Sequence, residues 1–194
     1  MGSPLIYSIP NLSMPVKKKS LSVLGSLLSF DQSMMDNHSH LEELRIIGVD
    51  EVGIGCLAGP VVAAATILPD IPARSKLAKN LSRLNDSKKL DHGIRKDLAV
   101  FIREHAHYAV GHASVEEIDE LNILQAGLLA MKRAVFDLNS KLINRPKNVL
   151  LLVDGNKKIP DSHHQQLCII QGDSQSASIA AASVVAKVFR DQWI

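Results

Sequence analysis

From Arg45 onward the apolar positions follow two alternating periods, one suited to strands and one to helices. Ile46 to Val49 is a short apolar run that predicts a strand, ended by Asp50-Glu51. Pro60 to Leu68 is rich in β-branched residues and small alanines, which predicts a second strand, closed by Pro69-Asp70. Residues 91–106 carry Ile94, Leu98, Phe101 and Ile102 at helical spacing. Tyr108 to Ala113 returns as a strand. Ser114, with Glu117 three positions later, has the form of a helix N-terminus in which side chain and backbone cap each other. Ile123 to Leu138 is an amphipathic helix. Asn148 to Val153 is a strand ending at Asp154-Gly155, and Leu167 to Ile170 is another ending at Gly172-Asp173. Ser178 to Trp193 is a final, alanine-rich helix. The alternation predicts an α/β fold built on one mixed sheet over residues 41–194, with no internal repeat and no linker.

Residues 1–40 have a different pattern. Lys17-Lys18-Lys19 precedes Leu21 to Phe30, an apolar stretch broken by serines and a glycine. A signal peptide has an unbroken apolar region and a small-residue cleavage site, and a transit segment is rich in arginine. The segment is therefore expected to be a flexible extension. The whole chain, 194 residues with 46% hydrophobic and 22% charged, suits one ordinary domain plus this tail. Aromatic residues are only 4%, which disfavours a base-stacking platform. A net charge of +2 means that any nucleic-acid surface must come from local basic clusters. Cys56 and Cys168 lack metal-type spacing and read as reduced thiols, consistent with a cytoplasmic protein. No apolar run is long enough for a membrane helix.

Three predicted strands end in acids: Asp50-Glu51, Asp154 and Asp173. Adjacent strand residues point to opposite faces, so Asp50 and Glu51 converge only if the strand ends or twists there. Gly53 and Gly55 allow such a bend. Asp-Gly and Gly-Asp are ordinarily turns, and each alone says little. Their coincidence at strand ends, where sites assemble in α/β sheets, points to a shared cluster. Grouped carboxylates repel unless a cation joins them. Hard divalent ions such as Mg²⁺ and Mn²⁺ take oxygen ligands and leave room for phosphate, and two of them can promote phosphodiester hydrolysis. Gly53-Ile54-Gly55-Cys56-Leu57-Ala58 formally matches a dinucleotide fingerprint, but Gly59-Pro60 and a β-run follow where a helix is needed. Asn85 to Leu90 is a polar loop with paired lysines, either a phosphate contact or an ordinary solvated turn.

Gly48-Val49-Asp50-Glu51-Val52-Gly53-Ile54-Gly55-Cys56-Leu57-Ala58-Gly59-Pro60 resembles the opening motif of ribonuclease HII. Asp86-Ser87-Lys88-Lys89-Leu90, the stretch Ile118 to Ala126, Val153-Asp154-Gly155, Gly172-Asp173 and Ile179 to Asp191 resemble its later motifs, in family order. The resemblance implies a ribonuclease H-like fold. It implies an endonuclease that cuts the RNA strand of RNA/DNA hybrids, or 5′ of a ribonucleotide in duplex DNA, leaving 3′-hydroxyl and 5′-phosphate ends. By the motif match, Asp50, Glu51, Asp154 and Asp173 are the catalytic carboxylates and bind Mn²⁺ or Mg²⁺ in a two-metal site. The turn Gly53, Ile54, Gly55 reads the 2′-hydroxyl, and Ser87, Lys88 and Lys89 contact backbone phosphates. The expected partners are hybrid and ribonucleotide-containing duplexes, with no membrane, for a monomeric protein. Two departures stand out: Ile54 replaces the family's arginine, and the chain stops at Trp193-Ile194, where the family continues into helices that carry a ribose-packing tyrosine. The alternatives are a hybrid-binding protein of the same fold with little catalysis, or an enzyme like ribonuclease HIII, a family that has a whole extra N-terminal domain.

Overall fold

The computed structural model describes residues 22–55, 59–84 and 90–193. Its strands are β1 (Leu44–Val52), β2 (Val61–Ile67), β3 (His107–Ala113), β4 (Asn148–Asp154) and β5 (Gln165–Ile169). Its helices are α1 (Val23–Asn37), α2 (Lys76–Asn80), α3 (His92–His105), α4 (Val115–Leu121), α5 (Ile123–Lys141) and α6 (Ala177–Asp191). The strands form one sheet in the order β3-β2-β1-β4-β5. β1 and β2 pair antiparallel, as do β2 and β3, while β4 lies parallel to β1 and β5 parallel to β4. This is the expected α/β fold with a mixed sheet.

The two faces of the sheet carry different helices. Ile47, Val49, Val61, Ala63 and Ala65 pack against Ala126, Ala130 and Ala134 of α5. Val62 and Ala64, on the other face, pack against Ala180, Ala181 and Val184 of α6. A strand covered on both sides reads as an unbroken apolar run, which is why all seven residues of β2 are buried. Small residues on strand and helix alike let the layers close tightly. The tightest point is Gly48 in β1, where a Cβ would lie 2.1 Å from the backbone carbonyl carbon of Ser178.

The structure departs from the sequence reading at two places that matter for function. First, β1 does not end at Val49. Asp50, Glu51 and Val52 continue the ladder opposite Ala64, Ala63 and Val62. Backbone pairing is indifferent to side-chain charge, so the acids interrupt the apolar run without interrupting the strand. Second, residues 23–37, expected within a flexible extension, form α1. The Ser22 hydroxyl accepts from the Gly25 N–H at 3.1 Å and caps this helix. Leu24, Leu27 and Asp31 fall on one face at i, i+3 and i+7, and all three are buried. Residues 1–21 lie outside the described residues.

Beyond Gly55 the next described element is β2, a strand, so among the described residues no helix follows the dinucleotide-like glycines. The capping at Ser114 is present in both directions, with Glu117 N–H donating to Ser114 Oγ at 3.2 Å and Ser114 N–H to the Glu117 carboxylate at 3.0 Å. Among the described residues no helix is long and apolar enough to cross a membrane.

The Gly48 contact makes a direct prediction. Gly48→Ala places a methyl group inside the α6 backbone and forces the helix off the sheet. Urea denaturation should show a loss of about 3 kcal/mol, at the upper end of overpacking costs, as a lower midpoint with an unchanged slope.

Candidate active site

β1 and β4 are parallel neighbours whose last registered pair is Val49 with Val153. Asp50 and Asp154 follow that pair, one on each strand, with strand axes about 4.8 Å apart. β5 runs beside β4, with Asp154 in register with Ile169. The chain then passes Gln171, in the left-handed region at φ 54°, into a single 3-10 turn, Gly172–Ser174, that contains Asp173. α6 starts directly afterwards. Asp173 is thereby delivered to the same end of the sheet as Asp50 and Asp154.

Asp50 and Glu51 do not reach the site in the way the sequence suggested. The strand stays paired through both residues, so they point to opposite faces. Asp50, only 4% exposed, lies on the α6 side and is hydrogen-bonded by Ser183 of that helix. Glu51 lies on the α5 side, with its Cγ 3.8 Å from where a Cβ on Gly127 would be. The cluster therefore straddles the end of β1.

The four acids act on one another. The Asp50 carboxyl is pushed well above the usual carboxylate range, first by burial, then by the charges of Glu51 and Asp154 and, more weakly, Asp173, against the lowering effect of the Ser183 hydrogen bond. Backbone N–H groups hold two of the carboxylates: Glu51 N–H donates to Asp50 Oδ1 at 2.7 Å, and Gly172 N–H donates to Asp154 Oδ1 at 2.6 Å. Among the described residues no three His, Cys, Asp or Glu side chains already stand as a closed ligand set. The arrangement is a loose, all-carboxylate group whose mutual repulsion a divalent cation would offset. Oxygen donors of this kind fit Mg²⁺ or Mn²⁺ and not the sulfur and nitrogen preferences of zinc.

The glycine turn borders this group. Gly53 adopts φ +119°, and a Cβ there would lie 3.0 Å from both Arg190 Nε and the Pro60 carbonyl oxygen. Arg190, 3% exposed, donates from Nε to that same carbonyl at 3.1 Å and so braces the turn from beneath. Ile54 is 39% exposed and leans on α5 at Gly127. A cleft beside the acids is lined by Glu51, Ile54, Gly127, Asp154, Gly155 and Lys157. Gly53, Ile54 and Gly55 are thus brought to the carboxylates. Ser87, Lys88 and Lys89 lie outside the described residues.

Two buried residues of the site carried no individual role in the sequence reading: Ser183 and Arg190. The signal for them was present. They are a polar and a charged residue seven positions apart in an alanine-rich helix, which places them two turns apart on one face.

A mixed sheet with carboxylates gathered at the ends of its central parallel strands defines a ribonuclease H-type hydrolase. The family model described as ribonuclease HII matches residues 47–194. Ribonuclease HII of Fusobacterium nucleatum is 48% identical over 164 residues, covering 83% of this chain and 73% of its own length. The chain belongs to the ribonuclease HII family. Among solved structures, ribonuclease H2 from Pyrococcus horikoshii matches with a TM-score of 0.57 and 27% identity over 76% of this chain and 72% of its own. Bst-RNase HIII in complex with Mn²⁺ matches with a TM-score of 0.62 and 25% identity, over 79% of this chain. The present chain spans about half of that HIII protein, 54%.

The repulsion around Asp50 predicts a separation of stability from ion binding. Asp50→Asn removes a buried charge that its neighbours oppose, and should raise the melting temperature in chelator by a few degrees. It should also abolish the further rise that Mn²⁺ gives the wild type by binding the folded state. Differential scanning calorimetry with and without Mn²⁺ reads both effects.

Proposed function

We propose that this protein is a metal-dependent endonuclease that cleaves the RNA strand of RNA/DNA hybrids and cuts 5′ of ribonucleotides embedded in duplex DNA. The observation that carries the reading is the burial of Asp50 among the charges of Glu51, Asp154 and Asp173, beside a glycine turn. Asp50, Glu51 and Asp154 hold metal, and Asp173 completes a second metal position or orients the attacking water. Mn²⁺ or Mg²⁺ bound there supplies Lewis-acid stabilisation of the departing oxygen and eases deprotonation of water. Water attacks the phosphorus and the bond to the 3′ oxygen breaks, so the products are a 3′-hydroxyl and a 5′-phosphate. The turn at Gly53 to Gly55 approaches the 2′-hydroxyl, the group that separates RNA from DNA. Ser87, Lys88 and Lys89 contact phosphates, which position the duplex without reading its sequence. The protein acts as a monomer, and a cytoplasmic setting goes with the free thiol of Cys168.

A second reading, a hybrid-binding protein with little catalysis, is favoured by one observation: Ile54 stands in the glycine turn where the family carries arginine. The likeness to ribonuclease HIII bears on the same position, since a residue other than arginine is tolerated there in that family.

Cleavage of a duplex with a single ribonucleotide, titrated with Mg²⁺ and Mn²⁺, separates the readings. The enzyme gives one cut 5′ of the ribonucleotide and loses it in Asp154→Asn. No product at any metal concentration, with hybrid binding intact, would leave only the binding protein.

Ile54→Arg tests the turn separately. A restored charge–phosphate contact is worth about 1–3 kcal/mol. KM should therefore fall by about tenfold while kcat changes little. An unchanged KM would mean that the position has no contact with substrate.

A further inference from the structure

Asp31 lies on α1, outside the residues that match the family model, yet it is 8% exposed and packed against the start of α6. Its carboxylate accepts hydrogen bonds from Ser176 and Ser178. Ser176 Oγ donates to Oδ1 at 2.5 Å, and Ser178 donates to Oδ2 from both its backbone N–H, at 2.9 Å, and its hydroxyl, at 2.8 Å. Ser176 is the N-cap of α6, and its hydroxyl also accepts from the Ile179 N–H at 3.2 Å. Burial pushes the Asp31 carboxyl up, and the serine and backbone hydrogen bonds pull it back. A buried acid satisfied in this way, at the positive end of a helix, is well placed to fix that end.

The contacts continue into the site. Ser176 N–H donates to the Gly172 carbonyl at 2.8 Å. Gly172 N–H donates in turn to Asp154 Oδ1 at 2.6 Å. Asp173 is the next residue, inside the turn that these bonds close. An unbroken hydrogen-bonded path thus runs from the Asp31 carboxylate through Ser176 and Gly172 to the Asp154 carboxylate. α1 is also attached by Leu24 and Leu27 in the apolar cluster of α6, and by Phe30, Met34 and Met35 against the cluster of Leu44, Ile46, Leu150, Leu152 and Ile179.

We infer that Asp31 is a positioning residue: it clamps the Ser176 end of α6 and, through Gly172, sets Asp154 and Asp173 for metal binding. The inference rests on the reading of those two acids given above. It also gives α1 a part in the activity. Residues that orient metal ligands typically contribute 10–100-fold to affinity or rate, so the effect is large enough to measure.

The test uses the full chain with Asp31→Ala, Asp31→Asn and Ser176→Ala, with Mn²⁺ binding followed by isothermal calorimetry and cleavage measured at fixed Mn²⁺. Asp31→Ala should bind Mn²⁺ about tenfold more weakly and lose about tenfold in kcat, with KM for the duplex within about twofold of wild type. Asp31→Asn should recover most of the affinity, because an amide oxygen still accepts from Ser178 N–H and the amide nitrogen can donate to Ser176 Oγ. Ser176→Ala breaks the path but keeps the Asp31 contacts to Ser178, and should weaken Mn²⁺ binding as well. Wild-type Mn²⁺ affinity in Ser176→Ala, or in an Asp31→Ala variant with a cooperative melt, overturns the inference while the nuclease reading stands. So does an Asp31→Asn variant as weak as Asp31→Ala. If Asp31→Ala does not fold, Ser176→Ala and Asp31→Asn decide. A wild-type chain that neither binds Mn²⁺ nor cleaves overturns the nuclease reading and this inference with it.

Discussion

The backbone of α6 rests directly on β1 at Gly48, with no side chain between them. This contact sets where α6 begins, and the rest of the site follows from that. Thr66 on β2 donates its hydroxyl to the Ser178 carbonyl at 2.8 Å, and Asp31 takes the Ser178 N–H, so the first turn of the helix is held from the sheet and from α1. Asp173 lies just before the helix and Ser183 faces Asp50 from within it. Arg190, near its far end, supports the glycine turn. One helix therefore touches both ends of the site. An error in its seating would be felt at the carboxylates and at the glycine turn together.

The same helix explains how the protein keeps four acids in one place. A carboxylate buried beside three others costs stability that the rest of the domain must offset. The offset comes from dense packing of small residues. Alanine in β2, α5 and α6 brings both helices close to the sheet, and the centre of the sheet is fully buried. The strand ends are where this packing stops. Of the acids gathered there, Glu51 and Asp154 stay partly exposed while Asp50 and Asp173 are buried. The backbone donors from Glu51 and Gly172 steady individual oxygens without neutralising the group. In the proposed function, a divalent ion would supply the balance.

Much of this was legible in the sequence because the elements that build the sheet have clean periods. The acids could be found because all four sit in three dipeptides, with glycine or with each other, at the ends of apolar runs. What escaped the sequence had two physical causes. The apolar positions of α1 are interrupted by serines and a glycine, and its buried face is defined by a partner far away in the chain: Asp31 and Ser178 are 147 positions apart. Local pattern cannot report a seat that only the folded molecule provides. β1 was read short because its last residues are charged, although a ladder needs only backbone groups to continue. That misreading also hid the geometry of Asp50 and Glu51, which serve the site from opposite faces.

Ile54 shows how the shape and the charge of the glycine turn are separable. The turn's backbone is set by Gly53 at a positive φ and by Arg190 on the Pro60 carbonyl, and neither depends on the side chain at position 54. The backbone N–H groups that would meet a 2′-hydroxyl therefore keep their arrangement whatever residue stands there. What the position loses is a cation at the edge of an acidic cleft. The apolar side chain rests instead on α5 at Gly127, so it contributes packing where the family has a charge. The proposed reading of the 2′-hydroxyl by backbone groups therefore does not depend on the side chain at position 54. In the proposed function, phosphate contacts would then fall to other basic residues, and Lys157 lines the same cleft.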